Sequence, residues 1–168
     1  MNGLRVVSML VVCAALQGCG LFGGKEEPPP PPPPTRVALK IEAAADINPD
    51  ASGQGAPLQL RIYELRGTSA FDGADFFAIY DHDQASLGAD LASKKELVLK
   101  PGEGRMLMLE PAAGSQYVAA FAAYRQLDDA RWRASIPIIE HRTTVVDIKI
   151  SGTRMTMEVA PVAPLPAR

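Results

Sequence analysis

The sequence predicts a mainly β protein, an antiparallel two-sheet β-sandwich of about eight strands with a short helical insert. Between residues 37 and 159, apolar side chains recur at every second position in several short segments. This is the period of a strand with one buried face. Turns such as Pro101–Gly104 separate these segments. One stretch, residues 69–91, has the apolar spacing of a helix instead.

The chain begins with the features of a secretory signal peptide. Arg5 precedes an apolar run from Val6 to Leu16, and the small residue Gly18 stands directly before Cys19. A basic start, a short apolar run and a small residue at the cleavage position are typical of such signals. The run of about ten residues is too short to cross a hydrocarbon core of about 30 Å. We therefore interpret residues 1–18 as a cleaved signal and not as a membrane-spanning helix.

Cys19 resembles the acylated cysteine of bacterial lipoproteins. The resemblance implies covalent lipid on Cys19 as a membrane anchor; the alternative is an ordinary signal peptide followed by an incidental cysteine. Gly20 follows, whereas an Asp there would resemble an inner-membrane retention signal, so the periplasmic face of the outer membrane is the expected location. Once Cys13 leaves with the signal and Cys19 is acylated, no disulfide, cysteine nucleophile or thiolate metal site is expected.

Residues 19–36 are predicted to be a tether between the lipid and a folded domain. Pro28–Pro34 is an unbroken proline run. A polyproline II helix rises about 3.1 Å per residue, so this run would span about 20 Å. It is either a spacer that lifts the domain off the membrane or a linker whose stiffness is incidental. The domain itself, residues 37–160, has about 120 residues, enough for one hydrophobic core; residues 161–168 are predicted to be a flexible tail.

The alternating pattern defines eight candidate strands within the domain. In most of them, charged or polar residues occupy every second position, which predicts one wet and one dry face. Tyr117–Tyr124 is apolar at both sets of positions, which predicts a central strand covered on both faces. The predicted strands are Val37–Ala43, Leu58–Ile62, Leu97–Leu99, Met106–Leu109, Tyr117–Tyr124, Trp132–Ile138, Val146–Ile150 and Met155–Val159.

The helical insert, residues 69–91, is predicted to contain one or two short helices. Ser69 and Asp72 have the spacing of a capping box, a signal for the start of a helix. Four aromatic residues are expected either to pack the insert onto the sandwich or to form an exposed patch for a partner: Phe71, Phe76, Phe77 and Tyr80.

The sequence contains no motif that indicates catalysis, and the protein is not expected to be an enzyme. Asp81-His82-Asp83 are consecutive and lack the frame of a calcium-binding EF-hand loop, so no metal site is expected. The other histidine, His141, accompanies no strained nucleophile turn or phosphate-binding glycine loop. A net charge of −2 gives no basic surface for nucleic acid. No cofactor other than the lipid, and no small-molecule substrate, is expected.

The segment after the first strand, from Asp46 to Pro57, is long for a hairpin connection, where two to five residues are usual. Asn48-Pro49 and the glycines Gly53 and Gly55 favour turns. Long ordered loops on a rigid sandwich often bind partners. The segment is therefore either a binding loop or a passive exposed loop.

An ordered series of segments resembles the TssJ family, the outer-membrane lipoproteins of the bacterial type VI secretion system. The resemblance extends from the first strand to the strand at Trp132. Its pieces are Ile47–Asp50, Leu60–Leu65, Phe71, Ala74–Tyr80, Leu87–Leu91, Lys100–Glu103, Ala122–Arg125 and Ala130–Arg133.

This resemblance implies a transthyretin-like sandwich with a structural role, which is to anchor the secretion membrane complex to the outer membrane. The implied partner is the periplasmic C-terminal region of the inner-membrane protein TssM. In the family, the loop between the first two strands contributes to that contact. We therefore expect the partner-binding residues here to be Ile47, Asn48, Pro49, Asp50, Gly53, Gln54 and Pro57.

Two functions of other classes compete with this interpretation. A periplasmic carrier lipoprotein would need a pocket with converging polar groups. An envelope hydrolase would need a Ser-His-Asp cluster. The sequence shows a motif for neither, and the fold class alone does not choose among the three.

Overall fold

The computed structural model describes residues 29–161. The predicted signal peptide, Cys19, the first part of the tether and all but the first residue of the predicted tail lie outside the described residues. Within residues 29–161, no helix has both the length and the hydropathy needed to span a bilayer.

The described chain forms two four-stranded sheets, with a pair of helices between the second and third strands. The strand order is β4-β1-β7-β8 in the first sheet and β3-β2-β5-β6 in the second. All eight predicted strands and the predicted sandwich are confirmed. The elements are β1 (Arg36–Ala43), β2 (Leu58–Leu65), α1 (Ser69–Gly73), α2 (Phe76–Leu87), a 3₁₀ turn (Gly88–Asp90), β3 (Leu91–Leu99), β4 (Gly104–Leu109), β5 (Tyr117–Ala123), β6 (Arg133–Pro137), β7 (Thr143–Ser151) and β8 (Arg154–Val159).

β1 lies inside the first sheet, between β4 and β7. It pairs antiparallel with β4, from Val37 opposite Leu109 onward. It pairs parallel with β7 along its whole length, from Arg36 opposite Thr143 onward. Parallel neighbours need a long connection, and here that connection passes through the entire second sheet. The sandwich is thus antiparallel except at this one pair among the described strands.

The second sheet is built around β2 and β5, which pair antiparallel. β5 is buried along most of its length, which confirms the prediction of a strand covered on both faces. β3 begins at Leu91, six residues before the predicted start at Leu97. The missed part includes Ser93-Lys94-Lys95-Glu96, whose side chains hide the alternating pattern because β3 is an edge strand, where charges discourage unwanted pairing.

Two apolar clusters hold the fold together. The larger one fills the space between the sheets and includes Leu39, Ile41, Leu60 and Ile148. The smaller one lies on the other face of the second sheet, where the helices pack against β2 and β5. Its buried members are Tyr63, Leu65, Phe71, Phe76, Ile79, Leu87, Ala119 and Phe121. The helical insert therefore covers one outer face of the sandwich.

The insert contains two helices, as the sequence allowed, but its first helix does not begin as predicted. The N-cap of α1 is Thr68, which makes no side-chain capping bond, so the capping box at Ser69 and Asp72 is wrong. The side-chain cap belongs to α2, where Asp75 accepts a hydrogen bond from the backbone N–H of Ala78 at 2.9 Å. A carboxylate at this position satisfies one of the unpaired N–H groups of the first turn.

Candidate partner-binding site

The β1–β2 loop, residues 44–57, has a buried base. The side chains of Ile47 and Asn48 are buried, with Asn48 only 3% exposed. Ile47 joins the cluster between the sheets, and its carbonyl oxygen accepts a hydrogen bond from the N–H of Ala56 at 2.9 Å. The loop is thus pinned to the core at both of its ends.

Asn48 fastens the loop base to the far end of the loop and to two other segments. Its backbone N–H donates to the carbonyl oxygen of Gly152 at 2.9 Å. Its Nδ2 donates to the carbonyl oxygen of Pro57 at 2.8 Å, and its Oδ1 accepts from the N–H of Arg125 at 2.9 Å. The backbone of Asn48 has a φ of 47°, a left-handed conformation that asparagine tolerates better than most residues. The residue type therefore suits both the backbone and the three hydrogen bonds.

The tip of the loop is a tight turn organised by Asp50. One oxygen of its carboxylate accepts hydrogen bonds from the N–H of Ser52 at 2.8 Å, the hydroxyl of Ser52 at 2.6 Å and the N–H of Gln54 at 3.0 Å. The Ser52 hydroxyl and these backbone N–H groups hold the pKa of Asp50 below its ordinary value. Gly53 has a φ of 81°, which glycine adopts without steric strain.

The loop thus divides into a buried, hydrogen-bonded base and an exposed tip. Ala51, Ser52, Gly53 and Gln54 are exposed, and so is Pro57, whereas Pro49 and Asp50 are partly covered. Among the predicted partner-binding residues, Ile47 and Asn48 shape the loop from inside, and their side chains offer little surface. That any of the seven residues binds a partner stays a prediction.

Gly55 allows the loop to fold back on itself. A Cβ atom at this position would lie 2.1 Å from the carbonyl oxygen of Ala45, far inside any permissible contact. Only glycine lets the second half of the loop approach the first half this closely. The conformation of the tip therefore depends on Gly55 as well as on Asp50.

Four connections meet at the end of the sandwich where β1 finishes, which we call the loop pole. They are the β1–β2 loop, the β3–β4 turn at residues 100–103, the β5–β6 connection at residues 124–132 and the β7–β8 turn at residues 152–153. Backbone hydrogen bonds join them to one another: Ala43 to Glu103 at 2.9 Å, Gly102 to Ala44 at 3.1 Å, and Arg131 to Thr153 at 3.0 Å. The loop pole is a continuous surface rather than a single isolated loop.

Asp83, from the acidic cluster Asp81–Asp83, is part of an internal ion-pair network. Its carboxylate accepts hydrogen bonds from Lys94 Nζ at 2.9 Å and the Tyr63 hydroxyl at 3.0 Å, and lies 3.5 Å from Arg61 Nη1. Burial alone would raise the pKa of Asp83, but these donors and positive charges keep it below its ordinary value. Among residues 29–161 no group of potential ligands converges on a metal site.

The aromatic residues of the insert are divided between core and surface. Phe71 and Phe76 are buried in the smaller cluster, as predicted. Phe77 is 60% exposed and Tyr80 41% exposed, so these two do not pack the insert onto the sandwich as fully as expected. Tyr80 stacks on Phe76 with the ring centroids 5.7 Å apart. The expected packing is therefore correct for Phe71 and Phe76 and wrong for Phe77.

Sequence reasoning missed the distant partners of Asn48 and Asp83. The N–H of Arg125 donates to Asn48 Oδ1, and the carbonyl oxygen of Gly152 accepts from the N–H of Asn48. Arg61 and Lys94 form ion pairs with Asp83. None of these contacts follows from a local motif, because the Asn48–Arg125 bond joins positions 77 residues apart. The two histidines considered as candidate site residues lie in different parts of the chain, His82 in α2 and His141 in the β6–β7 connection.

Comparison with known proteins gives a consistent family match. A family model described as type VI secretion lipoprotein (VasD, EvfM, TssJ) matches residues 35–153. The type VI lipoprotein TssJ1 from Pseudomonas aeruginosa is 40% identical, with a TM-score of 0.74 over 78% of this chain and 100% of its own. No curated protein matches the sequence.

Two further solved structures share the fold. Serratia marcescens Lip, a membrane-bound component of the type VI secretion system, is 26% identical, with a TM-score of 0.65 over 76% of this chain and 99% of its own. A chain from a structure described as the TssM C-terminal domain (869–1107) from EAEC is 24% identical, with a TM-score of 0.61 over 73% of this chain and 99% of its own. At that identity the second likeness concerns the fold alone.

Proposed function

Because the chain belongs to the TssJ family of type VI secretion lipoproteins, we propose that it is a structural lipoprotein of a type VI secretion membrane complex. In this proposal, lipid on Cys19 anchors it to the periplasmic face of the outer membrane. The loop pole binds the periplasmic C-terminal region of TssM. The protein then couples the membrane to the complex mechanically and catalyses no reaction.

The observation that carries the proposal is that the tether and the β1–β2 loop lie at opposite ends of β1. The tether enters the domain at Arg36, and the β1–β2 loop leaves β1 after Ala43. At about 3.3 Å per residue, the eight-residue β1 separates them by about 25 Å. A domain held by lipid at one end therefore presents the loop pole to a partner on its far side.

The construction of the loop also supports a binding role. A passive loop has no need of a buried asparagine that closes its base and fastens it to two other segments. Here the base is buried and hydrogen-bonded, and the Asp50 carboxylate holds the exposed tip at residues 51–54 in a defined turn. A partner that binds a preorganised loop loses less conformational entropy on association than one that must order it. The tip and the neighbouring turns of the loop pole are the proposed contact surface.

Binding of the purified domain to the TssM periplasmic region tests the proposal. Gln54→Arg introduces a long charged side chain at the exposed tip and removes no side-chain hydrogen bond found within residues 29–161. It should weaken binding about tenfold or more, which corresponds to about 1.4 kcal/mol. Ala113→Arg is the matched control, because Ala113 is exposed in the β4–β5 connection at the opposite end of the sandwich.

Isothermal titration calorimetry on the folded variants gives the dissociation constants. An unchanged dissociation constant for Gln54→Arg, together with a larger one for Ala113→Arg, would place the interface at the opposite end of the domain. No binding by the unmodified domain would contradict the proposed partnership itself.

A further inference from the structure

The helix α2 keeps two aromatic side chains at the surface. Phe77 is 60% exposed and Tyr80 is 41% exposed, and because they are three residues apart they are neighbours on one face of the helix. Asp81, four residues after Phe77, is also exposed and lies beside it. The helix is regular up to this point, since the one residue inside it with non-helical backbone angles is His82. We call Phe77, Tyr80 and Asp81 the α2 patch.

The rings of the α2 patch are held in place by the residues beneath them. Both contact the buried ring of Phe76, Phe77 edge-on with the centroids 5.3 Å apart and Tyr80 stacked at 5.7 Å. The guanidinium carbon of Arg61 lies 5.5 Å from the centroid of the Tyr80 ring. Arg61 Nη1 also donates to the carbonyl oxygens of Ile79 at 3.0 Å and Tyr80 at 2.9 Å. A partner that binds these rings therefore meets a surface that is already ordered.

The positive side chains around the α2 patch already have partners. Arg61 forms ion pairs with Asp83 at 3.5 Å and with Glu96 at 3.4 Å. Lys94 lies 2.9 Å from each of the same two carboxylates. Arg133 Nη1 donates to two carbonyl oxygens of the helical insert, at 2.8 Å and 2.7 Å. These cations are therefore engaged by groups other than the carboxylates exposed on the insert.

The exposed carboxylates of the helical insert have no such partners. Asp72, Asp75 and Asp81 are exposed, and none of them forms an ion pair within residues 29–161. The surface thus combines exposed aromatic rings with negative charge that no side chain compensates. Such a surface attracts a cation in two ways, through the electron-rich faces of the rings and through the carboxylates.

We propose that the α2 patch is a second docking surface, which binds an arginine-bearing segment of a partner protein. A guanidinium group lies flat on the Phe77 ring, and its N–H groups reach the Asp81 carboxylate one helical turn away. Arginine suits the patch better than lysine, because its planar group stacks on a ring and pairs with a carboxylate at the same time. An apolar segment would cover Asp81 without compensating its charge, and an acidic segment would be repelled.

Titration of the isotope-labelled chain from residue 20 onward, followed by nuclear magnetic resonance, tests the proposal. The probe is a capped peptide of four arginines alternating with glycines. The control peptide carries citrulline, an uncharged isostere, in place of each arginine. Trp132 is the one tryptophan in the sequence, and its ring centroid lies 5.4 Å from that of Phe76. Its single indole N–H signal therefore reports binding at the α2 patch.

We expect the arginine peptide to shift the amide signals of residues 77–81 and the indole signal of Trp132. The citrulline peptide should bind about fivefold more weakly or less tightly still. Equal dissociation constants for the two peptides would show that the charge is not recognised and would overturn the proposal. So would the absence of any shift with the arginine peptide at millimolar concentration.

Two substitutions locate the binding. Phe77→Ser and Asp81→Asn should each weaken binding of the arginine peptide about threefold, because each removes one of the two attractions. The matched controls are Met106→Ser and Glu158→Gln, at exposed positions of the first sheet, and both should leave the dissociation constant unchanged. An unchanged constant for both Phe77→Ser and Asp81→Asn, or equal losses in the controls, would overturn the assignment to the α2 patch.

Two other occupants are distinguished by separate measurements. Sedimentation of the chain alone shows whether a second copy binds the α2 patch, and flotation with vesicles of phosphatidylethanolamine and phosphatidylglycerol shows whether a lipid surface does. We expect neither association. A dimer or a vesicle complex that Phe77→Ser abolishes would overturn the proposal and assign the patch to that occupant. None of these measurements involves TssM or the loop pole, so their failure would leave the proposed function standing.

Discussion

Replacing Asn48 should destabilise the domain by an amount that follows from its contacts. The Asn48→Ala variant loses the hydrogen bonds to Pro57 and from Arg125, each of which contributes about 1 kcal/mol. It also places alanine at a φ of 47°, which costs about 1 kcal/mol for a residue with a Cβ atom. We therefore expect the free energy of unfolding to fall by about 3 kcal/mol.

The Asn48→Gly variant separates the two contributions. Glycine loses the same side-chain bonds but adopts the left-handed backbone without strain, so it should be more stable than the alanine variant by about 1 kcal/mol. For a domain of this size, 1 kcal/mol changes the melting temperature by about 4 °C. The alanine variant should then melt about 12 °C below the unmodified protein and the glycine variant about 8 °C below it.

Thermal and urea denaturation followed by circular dichroism measure both values. Gln54→Ala, at the exposed tip of the same loop, serves as the control and should change the free energy of unfolding by less than about 0.5 kcal/mol. If Asn48→Ala also stays within about 0.5 kcal/mol of the unmodified protein, the side-chain hydrogen bonds of Asn48 do not stabilise the fold. If the glycine variant is no more stable than the alanine variant, the expected cost of a left-handed alanine is wrong.

Three further predictions concern the anchor, the ion-pair network and the loop turn. Cys19→Ser should move the protein from the membrane to the soluble periplasmic fraction and Cys13→Ser should not, whereas equal fractionation of both would refute the anchor. Asp83→Asn should lose about 2 kcal/mol at neutral pH. Because the folded pKa of Asp83 is lowered, this contribution is present above about pH 4 and disappears on further acidification, so the two unfolding free energies should converge there; a constant gap would refute it. Gly55→Ala should cost about 3 kcal/mol, since its Cβ would overlap the carbonyl oxygen of Ala45; an unchanged melting temperature would contradict this.

Much of the fold was predictable because the pattern of apolar residues within each strand shows which of its faces is buried. The alternation in β1 and β7 and the doubly apolar β5 identified strands, faces and the central position of β5. The pattern failed where a strand lies at an edge, as in the first half of β3, and where a cap depends on the neighbouring backbone, as at Thr68. Neither failure reflects a weak core; both occur at the surface, where apolar periodicity carries little information.

The candidate site was predictable only in part. The β1–β2 loop stood out in the sequence because of its length, its glycines and its Asn48-Pro49 dipeptide. The division into a buried base and an exposed tip was not visible, because Ile47 and Asn48 look like ordinary loop residues until the core that covers them is known. Burial of a loop residue depends on which distant segments lie beside it.

By itself, the sequence determined the signal-like start, the position of Cys19, the strand faces and the family. Only the tertiary structure decided that β1 pairs parallel with β7 and that the tether and the loop lie at opposite ends of one strand. It also decided that Asn48 meets Arg125, 77 residues away. The physical reason is that the alternation of apolar and polar residues specifies which face of a strand must be buried, but not which neighbouring strands pair with it or cover it. The choice of neighbours depends on how the two sheets pack over a shared core.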